Sequence, residues 1–254
     1  MITAVINEKG GVGKTTTVGT LAHALSLRGG RILVVDLDPQ SNLTAWLGTD
    51  SPPRVTIANA LLDRTVFGDC VGASTAGTVS LAYGSRAVAD AADDLRASNP
   101  APALALRRAL RGLDYDHVLI DCPPGLGVLS VNALCAAEAL LVPVNSQGMA
   151  LSGVRQLSVT IDELREAEVI QLPPPMHVLL TMYDPRRALA REVREYLEQS
   201  QGSGSVYSTT IRASAKIAEC YGHHKTVYDY APREGVAEDY SRLAEEIQVG
   251  IPTR

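Results

Sequence analysis

The chain is expected to be an α/β protein, a mostly parallel, twisted sheet with helices on both faces. Three observations predict it. Short apolar runs of strand length alternate with helical segments of ordinary length along the 254 residues. Several runs, such as Ile-Leu-Val-Val at 32–35, are apolar at consecutive positions, as strands buried on both faces are. The first run leads straight into a glycine-rich turn with a helix behind it, the β–loop–α unit of such sheets.

In chain order, residues 2–6 read as the first strand and 17–27 as a helix with apolar positions at 18, 21, 22 and 25. Gly29 and Gly30 stop that helix, and 31–36 is the second strand. Residues 49–100 are the least periodic part, with a short helix at Leu61 and Leu62 and a strand at 79–83. Residues 104–113 are helical, and 117–121 is a buried strand ending in an acid. A helix over 130–139 and a strand over 139–144 follow, then a long amphipathic helix over 152–168, a triple-proline connector and a strand over 177–181. Residues 188–199 form a helix, 206–211 a strand, and 236–248 the closing helix. The only linker-like stretch, 200–205, is too short to divide domains, so a single domain over 1–254 is expected.

The loop after the first strand carries the chemistry. Lys9-Gly10-Gly11-Val12-Gly13-Lys14-Thr15-Thr16 nearly fits the phosphate-loop pattern G-x-x-x-x-G-K-[ST], but Glu8 stands where its first glycine would fall. A strand–glycine loop–helix unit aims backbone N–H groups and a helix N-terminus at an anion, which suits a polyphosphate. Gly10, Gly11 and Gly13 then let the backbone close on the phosphates, Lys14 reaches the β- and γ-phosphates, and the Thr15 hydroxyl ligates Mg²⁺. Lys9 is a second cation at the same loop.

Ligands of open parallel sheets sit beyond the carboxyl ends of the strands, where Asp36, Asp38 and Asp121 fall. An apolar run ending in aspartate holds Mg²⁺ through water in phosphate-loop enzymes, which assigns that role to Asp121. Asp38, one step into the loop, is placed to orient or deprotonate an attacking water, with Asp36 behind it.

Composition excludes other classes. A net charge of −5 is no electrostatic glove for nucleic acid or acidic lipid, so any such contact needs a local patch. Cys70, Cys122, Cys135 and Cys220 are scattered without C-x-x-C spacing, and no signal peptide precedes the first strand; buried thiols in a reducing cytoplasm are expected. No apolar run reaches transmembrane length. Of 23 basic residues only Lys9, Lys14, Lys216 and Lys225 are lysines, and two of these four lie in the loop.

Lys-Gly-Gly-Val-Gly-Lys-Thr-Thr at 9–16, Val-Asp-Leu-Asp-Pro-Gln-Ser-Asn at 35–42 and Asp-Tyr-Asp-His-Val-Leu-Ile-Asp-Cys-Pro-Pro-Gly-Leu-Gly at 114–127 closely resemble the ParA/Soj partition ATPases. These are phosphate-loop NTPases of the deviant Walker A group. Val-Pro-Val at 142–144, Ala-Leu-Ser-Gly-Val at 150–154, Leu-Leu-Thr-Met-Tyr at 179–183 and Ala-Pro-Arg-Glu-Gly-Val-Ala at 231–237 extend the likeness over essentially the whole chain. The resemblance implies a homodimer formed on ATP binding, with Lys9 reaching the partner's phosphates and further nucleotide contacts from Thr181, Met182 and Pro232. It also implies sequence-independent binding of duplex DNA and a ParB-type centromere-binding partner that stimulates hydrolysis, in the cytoplasm at the nucleoid. Two departures stand out: Glu8 replaces the family's usual glutamine, and Arg212 is displaced by one from the usual arginine position, which Ala213 occupies. The chain starts at its first strand, so the helix-turn-helix extension of larger plasmid members is not expected.

Basic residues suited to DNA are Arg187, Arg191 and Arg194 at i, i+4, i+7 on one face of the 188–199 helix, with Leu189, Val193 and Tyr196 on another. Arg212, Lys216 and Lys225 lie downstream with fewer acids near them in sequence, which favours Arg212 and Lys216. A MinD-like membrane anchor is disfavoured by the acidic, proline-closed C-terminal stretch. Buried thiols account for Cys122 and Cys135 more simply than the cluster ligands of a nitrogenase iron-protein-like reductase. A ParA-like ATPase positioning a cargo other than DNA remains the alternative, because its chemistry would be identical.

Overall fold

The computed structural model describes residues 1–98, 101–146, 150–201 and 205–250. A seven-stranded sheet forms its centre. In chain order the elements are β1 (Ile2–Val5), α1 (Lys14–Leu27), β2 (Ile32–Asp36), α2 (Asn42–Leu47), α3 (Ile57–Leu61), β3 (Val71–Ala73), β4 (Ser80–Ala82) and α4 (Ala87–Ser98). There follow α5 (Ala105–Ala109), β5 (His117–Asp121), α6 (Val128–Ala136), β6 (Ala139–Asn145), α7 (Ala150–Glu166) and β7 (Met176–Thr181). The chain closes with α8 (Ala188–Gln201), α9 (Ala215–Gly222), α10 (Val227–Tyr230) and α11 (Gly235–Val249).

The strand order is β3-β4-β2-β5-β1-β6-β7, and every pairing is parallel except β3 with β4. Side chains leave each strand alternately to two cores. Ala4, Leu33, Val35, Ile120, Val142 and Leu180 join a core with α3 to α8, while Val5, Val34, Leu119, Leu141 and Leu179 join a second with α1, α2 and α11. Both faces are therefore covered, as the consecutive apolar positions require. Helix α1 mixes apolar residues with small threonines and is buried from Thr17 to Leu25. It is the central support of the second core, and its N-terminus is fixed at the carboxyl edge of the sheet.

Two expected elements differ. Residues 206–211 do not form a strand: they run beside β7, with Tyr207 N–H to the Val178 carbonyl (2.9 Å) and Ile211 N–H to that of Leu180 (2.8 Å), joined only by isolated bridges. The Ser208 and Thr209 amides turn away to the Glu246 carboxylate on α11, at 2.7 and 3.0 Å, and this interrupts the ladder. The helix expected over 104–113 is one turn of 3₁₀ helix, Pro102–Leu104, followed by the short α5; Gly112, at φ 76°, lies in the turn beyond it. Helices α2, α4, α9 and α10 were not expected, and Lys14 rather than residue 17 begins α1. Part of the linker-like stretch, 202–204, lies outside the described residues. All four cysteines are buried free thiols. Among the described residues no helix is long and apolar enough to cross a membrane.

Candidate nucleotide site

Register brings the site together. Val5 and Asp36 both pair with Asp121, so the ends of β1, β5 and β2 lie side by side and the loop after β1 hangs over two buried carboxylates. Gly11 (φ 73°) and Gly13 (φ 91°) take the left-handed conformation that lets the loop curl before α1. Gly13 caps α1 and brings no side chain to its first amides, and no acid stands in the first turn. Those N–H groups and the positive end of the helix dipole are left for an external anion.

Lys14 is buried, and its Nζ donates to the carbonyls of Lys9 (2.7 Å) and Asn7 (3.1 Å). Burial lowers its pKa below the ordinary lysine value, against the opposing pull of Asp121, Cys122 and Asp38. Asp121 is fully buried, and neither carboxylate oxygen meets a donor in hydrogen-bond geometry. Burial first and the Asp36 charge second raise its pKa well above the carboxylate range, and the nearby Thr15 hydroxyl offsets only part of this. Asp36 accepts the Thr44 amide on Oδ2 at 2.7 Å, leaves Oδ1 unpaired, and is likewise raised, chiefly by burial. Asp38 is buried and turned along its own loop, where Oδ1 accepts the Gln40 amide at 2.9 Å. Unpaired buried carboxylate oxygens are costly, and a hard divalent cation is the group that such a donor set accepts. Thr15 and Asp121 thus fit Mg²⁺.

Lys9 is half-buried, Thr15 and Thr16 likewise, and Glu8, Gly10 and Gly11 are exposed. Val12 is tied to the end of β7 by the Thr181 hydroxyl, which donates to its carbonyl at 2.9 Å. Met182 is in the left-handed region (φ 51°), with its sulfur accepting from Asn145 Nδ2. Pro232 is exposed in the turn before α11. Asn7 escaped the sequence reading; the only signal was a polar residue closing an apolar strand. Its amide spans the loop and β6, accepting from Lys9 N–H (3.0 Å) and donating to the Pro143 carbonyl (2.8 Å).

The basic residues expected to meet DNA are placed differently from one another. Arg191 and Lys225 are exposed; Arg191 donates to the Pro185 carbonyl, and no carboxylate lies within ion-pair distance of Lys225 among the described residues. Arg187 is exposed and 3.8 Å from Asp184, and Arg194 pairs with Glu198 at 2.8 Å. The expectation that Arg212 and Lys216 have few acids nearby is overturned. Arg212 grips buried Asp239 through both Nε and Nη2, each at 2.7 Å, and Lys216 pairs with Glu219 at 2.8 Å. Asp239 is 27 residues away in sequence and arrives only when α11 folds back, while Glu219 is brought alongside by the unforeseen α9. On α8 the face turned inward is Ala190, Val193 and Leu197; Leu189 and Tyr196, expected beside Val193, are exposed.

Comparison with known proteins adds to this geometry. A family model described as an AAA domain matches residues 1–173. The chain is 39% identical to the chromosome-partitioning ATPase Soj of Thermus thermophilus, covering 98% of this chain and 95% of that protein. It is 35% identical to the sporulation initiation inhibitor protein Soj of Bacillus subtilis, with 97% of each covered. Among solved structures, cobyrinic acid a,c-diamide synthase from Mycobacterium smegmatis with bound ATP analogue and magnesium superposes with a TM-score of 0.76 at 31% identity, over 97% of this chain and 93% of that one.

The unpaired Asp121 carboxylate yields a prediction in two directions. Asp121→Asn should raise the melting temperature of the nucleotide-free protein while abolishing the Mg²⁺-dependent part of ATP binding. A folded-state pKa raised above the unfolded value penalises folding at high pH, and the penalty fades as pH falls through the raised value. The thermal advantage of the variant should therefore shrink on acidification, which melts recorded across a pH series will check.

Proposed function

The chain belongs to the ParA/Soj family of partition ATPases, and from that premise we propose that ATP closes two copies over their phosphate loops and that the closed dimer holds duplex DNA. The protein is an ATPase with ATP and Mg²⁺ as its cofactors. In this reading one domain over 1–254 does the work in the cytoplasm at the nucleoid, and a ParB-type protein resets it by stimulating hydrolysis. The observation that carries the reading is the pair of unpaired carboxylate oxygens on Asp121, beneath an uncapped helix N-terminus and beside buried Lys14.

Each residue has a physical task. The amides of Gly10 to Thr16 and the end of α1 hold the phosphates. Lys14 exchanges two neutral carbonyl acceptors for anionic phosphate oxygens, a stronger charge-assisted contact. Thr15, with Asp121 through water, would hold Mg²⁺, which supplies positive charge against the β- and γ-phosphates. Asp38 orients the attacking water. Thr181, Met182 and Pro232 are proposed to complete the nucleotide contacts. Lys9 is the element that couples the site to assembly: a second lysine beside Lys14 in one chain meets repulsion, whereas a lysine delivered by a partner adds its charge only in the dimer. Lys9→Ala should therefore leave nucleotide binding by the monomer within about threefold and weaken ATP-dependent dimers by roughly a hundredfold or more, one charge-assisted contact at each of two sites. Sedimentation velocity with a non-hydrolysable ATP analogue reads this; dimers of wild-type strength refute it.

For DNA, the ion pairs shift the weight toward Arg191 and Lys225, with Arg187, Arg212 and Lys216 contributing where a phosphate displaces Asp184, Asp239 or Glu219. A dimer doubles the phosphate contacts of a monomer and so raises affinity steeply. Combining Arg191→Ala with Lys225→Ala removes two cations per protomer and should lower the log–log salt slope of the ATP dimer by roughly four. Arg212→Ala, by contrast, leaves the buried Asp239 carboxylate without its cation and with only the backbone N–H of residue 212 as a partner, and should depress the melting temperature. DNA retention that is equal with ADP and ATP, or insensitive to salt, would favour a cargo other than DNA.

A further inference from the structure

The buried amide of Asn7 lies between the phosphate loop and the rest of the sheet, and no role in the nucleotide site has been given to it. Both sides of the Lys9 residue are held. Its N–H donates to Asn7 Oδ1 at 3.0 Å, and its carbonyl accepts from Lys14 Nζ at 2.7 Å. Asn7 is itself immobilised, because its Nδ2 donates to the Pro143 carbonyl on β6 at 2.8 Å. The same residue's carbonyl takes the second bond from Lys14, at 3.1 Å. When Lys14 turns to phosphate, the hold on the Lys9 carbonyl goes and the Asn7 amide is what still fixes the Lys9 backbone.

A second observation concerns the helix that covers this amide. Gly153 lies in α7, a helix-interior position where alanine is the better helix former. It lies directly against Asn7: a Cβ at that position would fall inside contact distance of Oδ1 and 3.2 Å from Cγ. The close approach accounts for the glycine, since any side chain there would push the amide off Lys9 or off Pro143.

We infer that Asn7 is the positioning residue for Lys9, setting the lysine's backbone so that its side chain is presented to the partner protomer, and that Gly153 maintains this by letting α7 close over the amide. The inference rests on the reading that Lys9 acts in trans. It adds a residue that touches no nucleotide and yet governs assembly. It also makes the start of α7 an element whose displacement would be felt at Lys9.

The test is a double-mutant cycle on ATP-dependent dimerisation, read by sedimentation velocity with the non-hydrolysable analogue, alongside monomer binding of a fluorescent ATP analogue. Asn7→Ala should weaken the dimer by about tenfold with monomer binding little changed, and should add almost nothing to Lys9→Ala, as residues acting through one contact do. Gly153→Ala serves as the second variant: displacing the buried amide should lower its melting temperature as Asn7→Ala does, weaken its dimer by a similar factor with monomer binding little changed, and add almost nothing to Lys9→Ala. A general structural defect would instead weaken monomer binding as well and add to Lys9→Ala. Wild-type dimers of Lys9→Ala overturn the trans reading and this inference with it. A weakened Lys9→Ala beside an intact or fully additive Asn7→Ala overturns this inference alone.

Discussion

Parallel pairing of β2, β5 and β1 forces the ends of three strands into one row, and the chain has put aspartates at two of them. Asp36 and Asp121 lie side by side in register, both buried, and three of their four carboxylate oxygens meet no donor in hydrogen-bond geometry. Charge held in this way raises the free energy of the nucleotide-free state and is tolerated only where the surrounding packing over-determines it. That packing is α1, which is buried along most of its length and cannot shift its N-terminus without opening the second core. Lys14 is the first residue of the helix, so the fold itself keeps its ammonium close to the carboxylates. Loop, helix end and acids are thus one unit.

Outside that unit the cations follow different rules. Some arginines on and before α8 pair with acids within a few residues, exposed Arg186 with Asp184 and half-buried Arg194 with Glu198. Such pairs contribute little stability and exchange partners readily. Arg212 is different, because Asp239 is nearly buried and the contact is bidentate; Gly235, where a Cβ would run into the guanidinium, keeps room for it at the start of α11. Lys225 is exposed on a loop held from beneath by the Trp46 indole, which donates to its carbonyl at 2.9 Å. Trp46 belongs to α2, the helix that follows the Asp38 loop. The loop that carries Lys225 is therefore joined, through one hydrogen bond and one helix, to the loop that carries Asp38.

Much of this was legible in the chain. The parallel sheet, its central strands and the loop with its acids could be read because their signals are local: apolar runs, glycine spacing and an aspartate closing two of the runs. What failed was non-local. Residues 206–211 have the composition of a strand, yet Glu246 from the last helix captures two of their amides. The helices in 42–47, 87–98 and 215–230 are short or weakly apolar and are stabilised by what they pack against. Arg212 looked free because its acid lies far along the chain. Asn7 carried no motif at all, since its importance comes from β6 on one side and α7 on the other.

In the proposed cycle the carboxylates and the loop form a Mg²⁺–ATP site whose occupation closes a dimer and whose turnover needs Asp38. The most direct measurement is to purify Asp38→Ala, add Mg²⁺ and ATP, and determine in one sample both the mass of the species and the nucleotide it contains. The expected species is a stable dimer holding intact ATP in about one-to-one ratio with protomers, because binding and closure are spared while water is left unoriented. A monomer, or a dimer that contains ADP, would contradict it.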